Sequence, residues 1–238
     1  TKAIIINHGS NVLGTVQNIE AIGNLAKSLG IFLIVDAAQT IGYIDIDVKK
    51  MNIDLLAFPG HKSLFGLQGT GGLYISDNID IPSLKEGGTG SNSDSFIQPN
   101  FLPDKFESGT LNTPGIIGLN EGVKFILSIG LSNIRHHETE LMVYLTNELQ
   151  SLSFVKLYGE TNPLLKTPVL SFNIDNRDSS EVGQYLNSLN IYVRTSYHCA
   201  PLIHKIIGTE GIGTVRVSPG YFNNFNDIES FIVAIRNL

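Results

Sequence analysis

Tryptophan is absent from the 238-residue sequence, methionine occurs twice and cysteine once. A single cysteine excludes a disulfide within the chain and makes a reducing cytoplasm the expected setting. A lone cysteine is ordinarily a small buried hydrophobe, so Cys199 acquires a chemical role only through its neighbours. Charge is also scarce: Asp, Glu, Lys and Arg together make up 16% of residues, and the formal net charge is -6. That balance offers no basic footprint, so neither nucleic acid nor an anionic membrane surface is expected as a partner. No apolar run has the length of a transmembrane helix. Thr1 to Ile6 is too short for the apolar stretch of a signal peptide, and no small-residue cleavage site follows it. What is present is a 42% hydrophobic fraction, which suits a packed core rather than disorder. The length suits one large domain or two small ones.

Short apolar runs alternate with helical periodicity. Ala3 to Ile6 reads as a strand. Val16, Ile19, Ile22, Leu25, Ala26 and Leu29 then recur at helical spacing, and Gly30 stops that helix. Further strands are expected at Ile31 to Val35, Asp54 to Phe58 and Gly72 to Ile75. Apolar strands separated by crossovers imply a mostly parallel sheet covered on both faces. From Ile79 to Pro114, Gly, Ser, Asn and Pro dominate, which marks a long functional loop. Helices follow near Gly115 to Leu127 and Ser132 to Leu149. The remainder reads as strands at Val155 to Leu157, Val169 to Ile174, Ile191 to Arg194 and Thr214 to Val217. Helices at Ser180 to Leu189, Pro201 to Ile207 and Asp227 to Ile235 complete a smaller α/β layer. The boundary between the two layers is placed near Leu119 to Leu131.

Ligands of open α/β sheets bind beyond the C-terminal ends of the parallel strands. Three polar clusters occupy those positions: Asn7-His8-Gly9-Ser10-Asn11, Asp36-Ala37-Ala38-Gln39 and Pro59-Gly60-His61-Lys62. An aspartate at one strand end and a lysine at the next suit pyridoxal 5'-phosphate. The carboxylate keeps the pyridinium nitrogen protonated and the lysine forms a Schiff base. Taken singly, Asp36 reads equally well as a helix cap and Lys62 as a solvated charge.

Ser10-Asn11-Val12-Leu13-Gly14-Thr15, Val35-Asp36-Ala37-Ala38-Gln39, Gly60-His61-Lys62 and Glu107-Ser108-Gly109-Thr110 resemble, in order, the segments of class V aminotransferases. Arg194-Thr195-Ser196-Tyr197-His198-Cys199-Ala200-Pro201 resembles the cysteine-bearing loop of the cysteine desulfurase branch and its selenocysteine lyase relatives. The resemblance runs from about Ile4 to the C-terminus. It implies a partial PLP-dependent transferase-like fold, with residues 1–118 as part of the cofactor-binding domain and 119–238 as the small α/β domain. It implies Lys62 as the Schiff-base lysine, Asp36 as the pyridinium partner, Gln39 on the phenolic oxygen, His61 on the phosphate and Asn11 beside cofactor and substrate. Arg216 matches the arginine that clamps the substrate carboxylate, a task for a guanidinium fork, and Arg194 supports the site. Thr89 resembles a residue that reaches the phosphate of a neighbouring subunit, hence a homodimer. The implied reaction takes sulfur from L-cysteine onto Cys199 as a persulfide and releases L-alanine, Lys62 acting as base. Attack requires a thiolate, favoured by His198 or Arg194 nearby, and the persulfide is passed to a sulfur-acceptor protein.

Two positions depart from the pattern: Pro59 stands where a phosphate-binding serine is common, and Ser196-Tyr197 replaces a glycine-containing step before His-Cys. The resemblance also implies a preceding segment that supplies further strands, a phosphate-cradling loop and a ring-stacking histidine, which none of the six histidines replaces. Without it, Ala3 to Ile6 and Gly72 to Ile75 are expected to be open sheet edges, and the chain to self-associate and bind the cofactor weakly. Three other readings compete: a selenocysteine lyase or plain aminotransferase, a silent interaction module or sulfur-transfer partner, and a nucleotide site at Gly66 to Gly72. That last run lacks the Gly-Lys-Ser/Thr ending of a P-loop and precedes a strand.

Overall fold

The computed structural model describes residues 1–238. Four strands form the first sheet in chain order: β1 (Ala3–Asn7), β2 (Phe32–Asp36), β3 (Leu55–Pro59) and β4 (Gly71–Ile75). β1, β2 and β3 are parallel, whereas β4 runs antiparallel to β3. The connection from Pro59 to Gly71 contains no helix, and a parallel return needs a crossover of a dozen or more residues.

Helix α1 (Ile19–Ser28) makes the first crossover. It starts later than its apolar periodicity suggests because the Asn18 side chain caps it, accepting from Ala21 N at 3.0 Å. Val16 instead bridges to Gly9. Ile19, Ala26, Leu33, Val35 and Leu56 make the core of this half, with Ile4, Ile6 and Phe58 packed on it. Each fully buried Ile, Leu or Val among them contributes roughly 1.5–3 kcal/mol. The opposite face is bare rather than covered: Ile5 is 77%, Phe32 49% and Leu73 50% exposed. Two right-handed crossovers that step in the same direction place both connections on one side, which leaves the other side without a layer.

The segment from Ile79 to Asn112 holds two three-residue 3-10 turns, at Gly90–Asn92 and Asp104–Phe106, and no strand or α-helix. Then come α2 (Thr113–Ile129) and α3 (Leu131–Gln150), where no single helix is long and apolar enough to cross a membrane. α2 runs unbroken through Gly118 and Leu119 and packs through Leu119, Val123 and Ile126 onto Phe58, Leu64 and Phe65. The second sheet is antiparallel: β5 (Val155–Tyr158), β6 (Leu170–Ile174) and β7 (Val215–Val217). α3, α4 (Ser179–Ser188) and α6 (Phe225–Arg236) close the larger core on it, centred on Leu145, Phe172, Leu186 and Ile232. α5 (Pro201–Ile206) follows directly on Cys199 and Ala200.

Ile191 to Arg194 is not a strand. Only Arg194 pairs, exchanging both backbone hydrogen bonds with Arg216 at 3.1 and 2.7 Å. The run is bounded by left-handed residues, Asn190 at φ 60° and Ser196 at φ 79°, which bend the chain away before a ladder forms.

Candidate active site

The loop after β1 joins the two sheets. Thr167 N donates to Gly14 O at 2.8 Å, and Ser171 Oγ donates to Val12 O at 2.6 Å. Between the halves lies a cavity of about 440 Å³. Asn11, Gln39, Lys62, Arg194, Cys199 and Arg216 line it together with Phe65, Glu138, Thr167 and Ser218. Parallel strands in chain order set the Asp36 and Lys62 loops side by side, and β7 brings Arg216 to face them.

Burial depresses the pKa of Lys62 even though the residue keeps solvent exposure. The Arg216 and Arg194 guanidiniums push the same way, against the opposing pull of Asp36 and Cys199. Lys62 therefore lies within electrostatic reach of both arginines, the aspartate and the cysteine. Asp36 ends β2 and accepts from Ala38 N at 2.8 Å through one carboxylate oxygen. This bond tightens the turn after the strand.

Asn11 ties the two sides together: its Nδ2 donates to His198 O at 2.6 Å, and its carbonyl accepts from Arg216 Nη1 at 2.8 Å. Arg216 Nε is buried without a partner. Burial first, then Arg194, lowers the pKa of Arg216, with Cys199 opposing. A buried guanidinium edge beside a second cation favours an incoming carboxylate. Arg194 Nη2 donates to Cys199 Sγ at 2.9 Å, and Cys199 is exposed. His198 does not touch that sulfur. Its Nε2 meets Thr214 Oγ1 at 2.8 Å, and burial, with Arg216, His204 and Arg194 adding to it, lowers its pKa to about 4. The cation beside the thiol is Arg194.

Three residues proposed from the sequence are not in the cavity wall: Asp36, which stops at the end of β2, His61 and Thr89. His61 is exposed next to Lys62. Thr89 precedes the first 3-10 turn of the long loop without a capping bond from its side chain, and its Oγ1 donates to Asn92 O at 2.7 Å. Glu138 was not legible as a site residue. It reads as one polar position of an amphipathic helix, yet it is only 6% exposed, and burial raises its pKa to about 7 against a hydrogen bond from the Tyr221 backbone. Thr167 to Val169 also join the wall, and no local signal marks them.

The residues present fit pyridoxal phosphate. A partly desolvated lysine and an arginine with an unpartnered nitrogen line one cavity, and the Asp36 carboxylate lies within electrostatic reach of that lysine. The family profile described as Aminotransferase class-V matches residues 1–231. A probable cysteine desulfurase of Methanothermobacter thermautotrophicus is 37% identical over 96% of this chain and 58% of the relative. A probable cysteine desulfurase of Pyrococcus abyssi is 35% identical over the whole chain and 59% of the relative. The apo structure of a cysteine desulfurase from Thermococcus onnurineus superposes with a TM-score of 0.90 at 35% identity. That match covers 99% of this chain and 59% of the other. The chain thus spans less than two thirds of the length of the relatives it matches. With a family match that spans nearly its whole length, on a sheet whose strand ends converge as described, this chain belongs to the class V aminotransferase family.

Proposed function

We propose that this chain carries the catalytic lysine and the sulfur-accepting cysteine of a pyridoxal-phosphate-dependent cysteine desulfurase. The observation that carries the reading is one cavity onto which Lys62, Arg194, Cys199 and Arg216 all open. Lys62 would hold the cofactor covalently, with Asp36 at the ring nitrogen, Gln39 at the phenolic oxygen, His61 at the phosphate and Asn11 alongside. When bound, pyridoxal phosphate supplies the electron sink that stabilises negative charge on the substrate α-carbon.

The protein's own residues do the rest. The depressed pKa of Lys62 raises the share of neutral amine at Nζ, the form that takes up the α-proton. The unpartnered edge of Arg216 orients the carboxylate of L-cysteine. Arg194 holds the sulfur of Cys199 in place by a donated hydrogen bond, and the nucleophile in the attack is the thiolate. In net balance the substrate C–S bond is replaced by a C–H bond, and Cys199 gains an S–S bond. L-Alanine leaves and the persulfide remains for an acceptor protein. A second copy of the chain supplies Thr89: its loop lies outside its own cavity wall and exposes Leu84 at 93%, Phe96 at 106% and Ile97 at 76%. Exposed apolar side chains at that density mark an interface.

The test is cysteine-dependent release of alanine and sulfide by the natural full-length product. Cys199→Ala is expected to abolish sulfur release while the cofactor stays bound to Lys62, seen in its visible absorbance. Lys62→Ala is expected to lower turnover by roughly 10²-fold or more and to lose that absorbance. Normal turnover by Cys199→Ala overturns the assignment of the sulfur acceptor.

A further inference from the structure

The loop that carries Cys199 adopts a bend its own residues disfavour. Ser196, His198 and Cys199 have φ of 79°, 51° and 63°. None is glycine, and a left-handed non-glycine residue costs of order 1–3 kcal/mol where its surroundings hold it. The hold is visible. Thr214 N donates to Ser196 O at 3.1 Å, and Gly211 N donates to the Tyr197 hydroxyl at 2.7 Å. Beneath the bend lies His204 of α5, which is completely buried. Its ring meets Tyr197 edge-on at 5.0 Å and lies 5.8 Å from the His198 ring. It is tethered in turn: Nδ1 is 2.8 Å from Thr209 Oγ1, and Thr209 N donates to His204 O at 2.9 Å. One buried ring therefore supports the two residues that immediately precede Cys199. Gly213 closes the bend from the other side, since a Cβ there would come within 2.7 Å of Ser196 Cα.

We infer that His204 is a positioning residue for Cys199: through the Tyr197 and His198 rings it holds the left-handed bend and keeps the sulfur on the Arg194 guanidinium, facing the cavity. The inference rests on the reading of Cys199 as sulfur acceptor. It adds that the acceptor is aimed by a buried aromatic stack rather than by the loop's own preference. The Lys62 and Arg216 side chains are not among these rings, and Arg216 keeps its own bond to the Asn11 carbonyl, so the loss is expected in kcat rather than in KM.

The test uses His204→Ala, His204→Phe and Thr209→Val in the full chain. His204→Ala is expected to lower kcat about tenfold or more, as a displaced reacting atom does, with KM for cysteine and cofactor absorbance unchanged. It is also expected to speed hydrogen exchange at residues 196–199. Iodoacetamide is expected to alkylate Cys199 several-fold more slowly at neutral pH, because the sulfur loses its guanidinium partner. His204→Phe keeps the ring and is expected to restore most of kcat and of the alkylation rate. Thr209→Val, which loosens only the tether, is expected to shift both in the direction of His204→Ala by a smaller amount. If His204→Ala fails to fold, the other two variants decide. Wild-type exchange, alkylation and kcat in His204→Ala, or in Thr209→Val where His204→Ala does not fold, overturn the inference. So does a kcat loss in His204→Phe as deep as in His204→Ala. Cys199→Ala with normal turnover would instead overturn the sulfur-acceptor reading, and the exchange and alkylation rates would still judge the stack.

Discussion

Two side chains around the cavity titrate far from their ordinary ranges, in opposite senses. Glu138 is raised from 4.5 to about 7, by burial first. A carboxyl whose folded pKa lies above its unfolded value binds protons more tightly when folded. Its contribution to stability is full below about 4.5 and is lost as pH rises through about 7. His198 is lowered from 6.5 to about 4, again by burial first, so its contribution is full above about 6.5 and is lost as pH falls through about 4. Each shift corresponds to about 3 kcal/mol at most, and the two offset each other where their windows overlap. Glu138→Gln removes one side of that balance and keeps an oxygen to accept from the Tyr221 backbone. Its urea midpoint is expected to match the wild type near pH 4.5 and to exceed it at pH 7.5. An equal or lower midpoint at pH 7.5 would show that the buried carboxylate is otherwise compensated. At the same scale, Arg194 and Arg216 divide the work: one guanidinium meets the sulfur, and the other keeps a buried nitrogen free. A lysine at either position has no planar fork to do the same.

At the scale of elements, propensity and packing give opposite forecasts for α1. Glycine inside a helix costs about 1 kcal/mol relative to alanine, so Gly23→Ala is stabilising by propensity alone. The tertiary structure reverses the sign. Gly23 is buried, and a Cβ there would stand 1.9 Å from the carbonyl oxygen of Met51. That oxygen is backbone, in the segment leading into β3, and cannot swing aside as a side chain would. Gly23→Ala is expected to destabilise the fold by about 1–3 kcal/mol, read as a lower urea midpoint with an unchanged slope. A raised midpoint would mean that the Met51 segment yields freely. The same competition explains the irregular run from Ile191 to Arg194. Its alternation suits a strand, but the left-handed bends on both sides leave it room for one pair only.

For the whole molecule, the dominant feature is the uncovered face of the first sheet. Ile5, Phe32 and Leu73 lie on it, and β1 and β4 are its two edges. An open apolar face with unpaired edges favours association with other chains. The 238-residue polypeptide on its own is expected to sediment as species larger than its 25.9 kDa mass. Ile5→Lys combined with Phe32→Glu is expected to shift the distribution toward the monomer. A wild-type chain that sediments as a monomer at micromolar concentration would show that this face is tolerated bare.

The order of elements and the strand-end clusters were determined by the sequence. Apolar runs mark β1, β2 and β3, and the residues at or just beyond their C-terminal ends, Asn11, Asp36 and Lys62, were legible because parallel strands in chain order bring successive C-terminal loops together. Periodicity is local, however, and carries no information on which distant segments meet. It could not give the antiparallel sense of β4, the bare face, or the entry of Glu138 and Thr167 into the cavity wall. Nor could it choose between His198 and Arg194 as the neighbour of the Cys199 sulfur. That choice was made by the bend at Ser196, His198 and Cys199, which turns one side chain inward to Thr214 and leaves the other on the thiol. Only the tertiary structure decides such a bend, because contacts from Asn11, His204 and Thr214 hold residues in a conformation that they disfavour alone.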